Sequence, residues 1–207
     1  MRQNNESRGT RLLRLRNSFT AGRITLSNLM VVLILVSPAS ACRSSAPPTD
    51  INRLRIALSP AAFPQSISLQ QHVEVEQGGK SVDFEAVLDV TPEAVTLVGL
   101  AFNQRVFTLK YDGVKLQESR SKMLPREVQA GDVLSDLQIA LWPADAVRSA
   151  LPAGWILKDS EGQRVLSQSD TARTTITYSA TPRWSGTITL QNHQYDYRLL
   201  IKSAVAP

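Results

Sequence analysis

From Ile67 the chain alternates apolar and polar residues with period two. Ile67, Leu69, Val73 and Val75 fall on one face, and Gln70, His72, Glu74 and Glu76 on the other, which is the pattern of a half-buried strand. Gln77-Gly78-Gly79-Lys80 supplies a turn. Val82, Phe84, Ala86, Leu88 and Val90 then alternate with Ser81, Asp83, Glu85 and Asp89, completing a predicted hairpin. TPEAVTLVGLAF (91–102) predicts a third strand, QRVFTLKYDG (104–113) a fourth that ends in an Asp-Gly turn, and VKLQES a short fifth.

The period changes at residue 130. Leu134, Leu137 and Leu141 stand at helical spacing, with Asp132 placed to cap the start. Pro143 disfavours a helical conformation at Trp142, so a break and a second short helix to about Ala150 are expected. Strands resume as WILKDS and QRVLSQS around Glu161-Gly162, then ARTTITYSA, GTITLQN and QYDYRLLIKS. Nine or ten strands in consecutive hairpins predict a mainly β fold with a helical insertion at about 131–151. Such a sheet is large enough to curl into an incomplete barrel covered by short helices.

Upstream, residues 1–41 read as an export leader. ITLSNLMVVLILV (24–36) is 13 residues with three polar interruptions, short of the roughly 20 that span a bilayer. It follows an arginine-rich region and ends in small residues, as a secretory signal does. Ala39-Ser40-Ala41-Cys42 resembles a bacterial lipobox, although leucine is usual where Ala39 stands. Cys42 is the only cysteine, so no intrachain disulfide can hold it, and an unpaired thiol on an exported protein needs a role. Lipidation supplies one; plain cleavage after Ala41 and an uncleaved anchor are the alternatives. The proline-rich stretch 42–65 reads as a lipidated tether, and 66–207 as the half-barrel domain. Residue 43 is arginine, not the aspartate that favours inner-membrane retention, so the expected location is the periplasmic face of the outer membrane.

Charge changes the picture by where it lies. The formal charge is +5, but six of the 23 Lys and Arg sit in residues 1–41 against one acid, leaving 17 of each sign from Cys42 onward. The basic character belongs to the leader, and nucleic-acid binding loses its support. Catalytic chemistry fails on inventory. There are two histidines, His72 on a polar strand face and His193 in a turn, and no phosphate loop, nucleophile elbow or metal-ligand spacing. No enzyme activity, cofactor or metal is expected. Trp142, Trp155 and Trp184 suit core or barrel-rim positions as well as ligand contacts. The segment LVGLAFNQRV keeps apolar residues up to its turn, so Leu100 and Phe102 either fold back into the core or form an exposed apolar tip.

Together the Cys42 lipobox, the strand order, FTLKYDG (107–113), LSDLQIALWPADAVRSAL (134–151) and GTITLQNHQYDYRLLIK (186–202) resemble a family of Gram-negative lipoproteins of unassigned function. Its members are often encoded among aryl-polyene biosynthesis genes. The layout is also similar to the lipoprotein carrier and receptor LolA and LolB. That resemblance implies an incomplete antiparallel barrel with a helical lid over an apolar cavity that accepts acyl chains. In the receptor a leucine between the third and fourth strands enters the membrane. Phe102 matches it best and Leu100 next, although the receptor's Pro-Leu-Gly loop is missing here. The implied partners are the membrane and a lipoprotein or lipid cargo. The cavity-facing candidates are Phe84, Leu97, Phe107, Leu109 and Tyr178, for which core filling is the alternative. The competing function is a tethered assembly component that docks a partner protein and holds no ligand.

Overall fold

The computed structural model describes residues 53–206. The alternating segments become ten strands: β1 (Ile67–Gln77), β2 (Lys80–Val90), β3 (Val95–Ala101), β4 (Gln104–Tyr111), β5 (Leu116–Arg120), β6 (Trp155–Asp159), β7 (Gln163–Gln168), β8 (Thr171–Tyr178), β9 (Gly186–Asn192) and β10 (Tyr197–Val205). They form one antiparallel sheet in the order β5-β4-β3-β2-β1-β10-β9-β8-β7-β6. Two five-strand meanders are thus joined by pairing of the first strand with the last, with Val73 opposite Ile201 at its centre. β5 and β6 do not pair, so the curled sheet stays open. The helices α1 (Ala130–Leu141) and α2 (Ala144–Ala150) lie in the connection between these two free edges. The mainly β fold with a helical insertion is as the pattern predicts.

Both free edges are blunted by an arginine. Arg120 donates to the carbonyls of Leu124, Pro125 and Val128, folding its own downstream loop beside β5. On the other edge Arg148 of α2 donates to Leu157 O of β6. Bound carbonyls and edge charges disfavour pairing with a foreign strand.

One face of the sheet carries the core: Leu69, Leu88, Val90, Val95, Leu109, Ile176, Ile188 and Leu190 are almost wholly buried on it. α1 packs over this concave face with Leu134, Ile139 and Leu141, and the break at Pro143 turns the chain into α2, as expected. Trp142 at the break is 0% exposed.

Two expectations are corrected. Asp132 does not cap α1: Gln129 holds that position, without a side-chain cap bond, and Asp132 is buried within the first turn, paired with Arg53 and Arg55. The folded part also begins well before residue 66. Ile56 and Phe63 are core residues, and residues 53–63 form an extended strap along α1. Its one proline, Pro60, opens a short 3-10 turn at Pro60–Ala62 and does not prevent docking.

Candidate functional site

Strand alternation places the first group of predicted residues. Phe84, Leu97, Phe107 and Leu109 share the concave face of β2, β3 and β4, where Leu97 stands between Leu88 and Leu109. Phe107 and Leu109 are buried, while Phe84 and Leu97 are only half-buried. Gly99 stands on β3 between the two phenylalanines, with room for a Cβ at ordinary contact distance. A Cβ there would lie 3.5 Å from Phe107 Cβ and 3.8 Å from the Phe84 ring. Tyr178 stands apart from these four, on β8, and its hydroxyl donates to Ala140 O at the end of α1 (2.7 Å). Cys42 lies outside the described residues.

The concave face is not wholly covered. Across β2, β1 and β10 the register stacks Phe84, Val73 and Ile201 in one row and Val82, Val75 and Leu199 in the next. Of these six only Val73 is buried, and Val82 is 62% exposed. They form a contiguous apolar mouth near the β1–β2 turn. The β3–β4 turn lies at the same end, because alternate turns of an antiparallel meander share an end.

Phe102 is 88% exposed in that turn. It and Asn103 both have left-handed backbones, with φ of 51° and 58°. A two-residue hairpin of this hand normally takes Asn-Gly. A phenylalanine there carries both backbone strain and an exposed ring, so neither local geometry nor the core accounts for it. Leu100 is half-buried between Glu85 and Arg105 on the neighbouring strands and does not share the tip.

The lid is held by groups the sequence does not mark. Arg164, on the inward face of β7, is 2% exposed. It donates to Asp159 (2.9 Å) and to the carbonyls of Ile139 and Trp142. With the Tyr178 bond, three carbonyls at the end of α1 are tied to the sheet, and a cation sits at the negative end of the helix dipole. Burial works against ionisation of Asp159, but hydrogen bonds from Arg164 and Arg183 hold its carboxyl below the ordinary value.

The strap is held by a row of side chains on one face of α1. Ser135 accepts from Ile56 N (3.1 Å), Gln138 bonds both Leu58 N (2.7 Å) and Leu58 O (2.8 Å), and Trp142 Nε1 donates to Ser59 O (3.1 Å). From β4 the Tyr111 hydroxyl reaches Ala57 O. At its start Arg53 lies 3.2 Å from Asp132 and 3.4 Å from Asp136, over the rings of Tyr195 and Tyr197. Tyr197 donates to Asp136 and accepts from Arg53 and Asn192. With the strap in place the gap beside Arg53, Asp136 and Arg173 has a volume of about 20 Å³, and a larger hollow of about 350 Å³ opens at the β1–β2 turn among mainly polar residues, Glu76, Lys80, Ser81, Gln191 and Arg198 among them.

Burial pushes the Asp136 carboxyl up to about 6, against the lowering effects of the Tyr197 hydrogen bond and Arg53, while Asp132 adds to the rise. Burial likewise raises Tyr197. A carboxyl raised on folding stabilises the protein fully below its unfolded value, and that contribution is lost as pH climbs through the folded one. The expected result is that Asp136→Asn gains about 2 kcal/mol relative to wild type between pH 4 and pH 7. Urea denaturation at both pH values checks it, and the comparison cancels the other carboxylates.

No curated protein matches the chain. Among solved structures it is similar to a LolA superfamily protein from Nitrosomonas europaea, with 9% identity over 73% of this chain and 92% of that one and a TM-score of 0.36. It is also similar to a DUF1329 family protein from Desulfovibrio piger, with 10% identity over 68% and 85% and a TM-score of 0.28. The model of the family described as protein of unknown function (DUF3261) matches residues 68–205, all of the sheet but its first residue and both helices, and the chain belongs to that family.

Proposed function

We propose that this protein binds a hydrophobic chain on its concave face and holds it at the periplasmic surface of the outer membrane, to which Cys42 is anchored by acyl groups. The observation that carries the reading is the partly exposed apolar mouth formed by Val75, Val82, Phe84, Leu199 and Ile201, continuous with the core beneath it. Monomeric proteins rarely leave such a patch uncovered without use. Burial alone supplies affinity for a hydrocarbon, at about 0.8 kcal/mol per methylene, so few polar groups are needed. Suitable ligands are the acyl groups of a lipoprotein, a lipid, or a polyene-type tail. No bond is made or broken, and the activity is binding or transfer.

Phe102 supports the same orientation. Its exposed ring stands at the end of the sheet where the mouth opens and where Arg53 brings in the strap. A ring at this place suits contact with the surface that donates or receives the chain. The test is native mass spectrometry of residues 43–207 purified without detergent. Bound apolar mass supports the reading, and protein that carries none and takes up none contradicts it.

A further inference from the structure

We infer that the groove now filled by the strap is the deep part of the binding site, and that the strap is a plug which an extended apolar chain displaces. The inference rests on the hydrophobic-chain reading above and adds to it where the chain lies and what must move. The gap left at the start of the strap, beside Arg53 and Leu54, is about 20 Å³, far below the roughly 300 Å³ at which ligand sites begin, and the larger hollow of about 350 Å³ at the β1–β2 turn has a mainly polar lining and no strap residue in it. A chain that passes the mouth therefore has to replace something. α1 is tied to the sheet through three carbonyls, held by Arg164 and Tyr178. The strap is tied to α1, to Tyr111 and, through Arg53, to Tyr197, pairs with no strand, and stands at the start of the domain, so it can leave without unthreading any connection.

The strap also has the shape of what would replace it. Leu54, Ile56, Leu58 and Pro60 turn toward the core at every second residue while Arg55, Ala57, Ser59 and Ala61 stay exposed. An extended run from residue 54 to 60 covers about 20 Å, a track for a single linear chain and not for a compact ring system. Burial is non-directional, so one apolar occupant substitutes for the other. What distinguishes them is the polar row Ser135, Gln138 and Trp142, which serves the strap's backbone and offers nothing to a hydrocarbon. Removing part of that row weakens the plug and leaves the apolar track intact.

Residues 43–207 hold every core residue and no cysteine, so paired cysteines can lock the strap. A Cβ on Gly131 lies 3.7 Å from Arg55 Cδ, which suits Arg55→Cys with Gly131→Cys joined by a short bismaleimide. The probe is a photoactivatable palmitate, with labelled peptides mapped by mass spectrometry. The uncrosslinked pair is expected to label on β4 and α1, and the crosslinked protein at least tenfold less. Equal labelling at those sites in both forms overturns the plug. Labelling of neither form, nor of wild type, overturns the hydrophobic-chain reading itself. As a second measurement that needs no crosslink, Gln138→Leu is expected to tighten palmitate binding several-fold. Unchanged or weaker binding by a Gln138→Leu protein with wild-type circular dichroism counts against the plug.

Discussion

Replacing Arg164 by alanine is expected to lower the unfolding free energy by about 3–5 kcal/mol, the range for breaking a buried ion pair from one side. The guanidinium has almost no contact with water, and its partners are Asp159 and two carbonyls of α1. Its removal leaves the carbonyls of Ile139 and Trp142 buried without that donor, and Asp159 with Arg183 as its remaining ion-pair partner. Arg164→Met separates volume from charge. It refills the space but restores no donor, so about 2 kcal/mol of the loss should persist from the unsatisfied acceptors alone. Urea denaturation of residues 43–207 measures both, and a change below about 1 kcal/mol in the alanine variant would show that the lid is not held through Arg164.

The second large effect is expected at Trp142. Alanine there should cost about 3–5 kcal/mol, because a fully buried indole leaves a cavity that its neighbours only partly fill. The ring sits 5.0 Å from that of Phe63, tilted by 49°, and its Nε1 holds Ser59 O of the strap. Trp142→Phe keeps most of the volume and loses the hydrogen bond, so about 1 kcal/mol is expected. If the strap docks as described, Trp142→Ala also exposes residues 53–63 to protease before the rest of the domain unfolds. Limited proteolysis that cuts elsewhere first contradicts that placement.

Much of this architecture was legible because strands announce themselves by period two. Ile67 to Val90 reads as a hairpin from side-chain alternation alone, and the ladder pairs Ile67 with Val90 and Gln77 with Lys80 accordingly. Pro143 marks the helix break for a local steric reason that tertiary context does not override. The strap was not legible in the same way. Arg53 to Pro60 does alternate, but three inward residues followed by Pro60 and Pro64 resemble a tether, and the partner that makes the segment fold lies some 80 positions later on α1. Asp132 shows the same limit. An acid at a helix start suits a cap, and only the long-range approach of Arg53 and Arg55 turns it into an ion pair.

The binding face divides along similar lines. Phe84, Leu97, Phe107 and Leu109 could be assigned to one face from alternation. How far each is covered depends on where α1 and the strap come to rest, which no local pattern records. Arg164 is an inward polar residue in an otherwise alternating strand, and that irregularity was its only signal. Phe102 was marked by apolar residues running into a turn, and its exposure with a left-handed backbone gives that mark a physical content.

The most direct measurement is the native mass of residues 43–207, exported to the periplasm, purified without detergent and then challenged with palmitate. The expected result is a defined extra mass, released by organic solvent as an acyl or polyene species, or one-to-one uptake of palmitate by protein that arrives empty. A clean protein mass with no uptake would contradict hydrophobic-chain binding, and the exposed mouth and the Phe102 tip would then be surfaces for a protein partner.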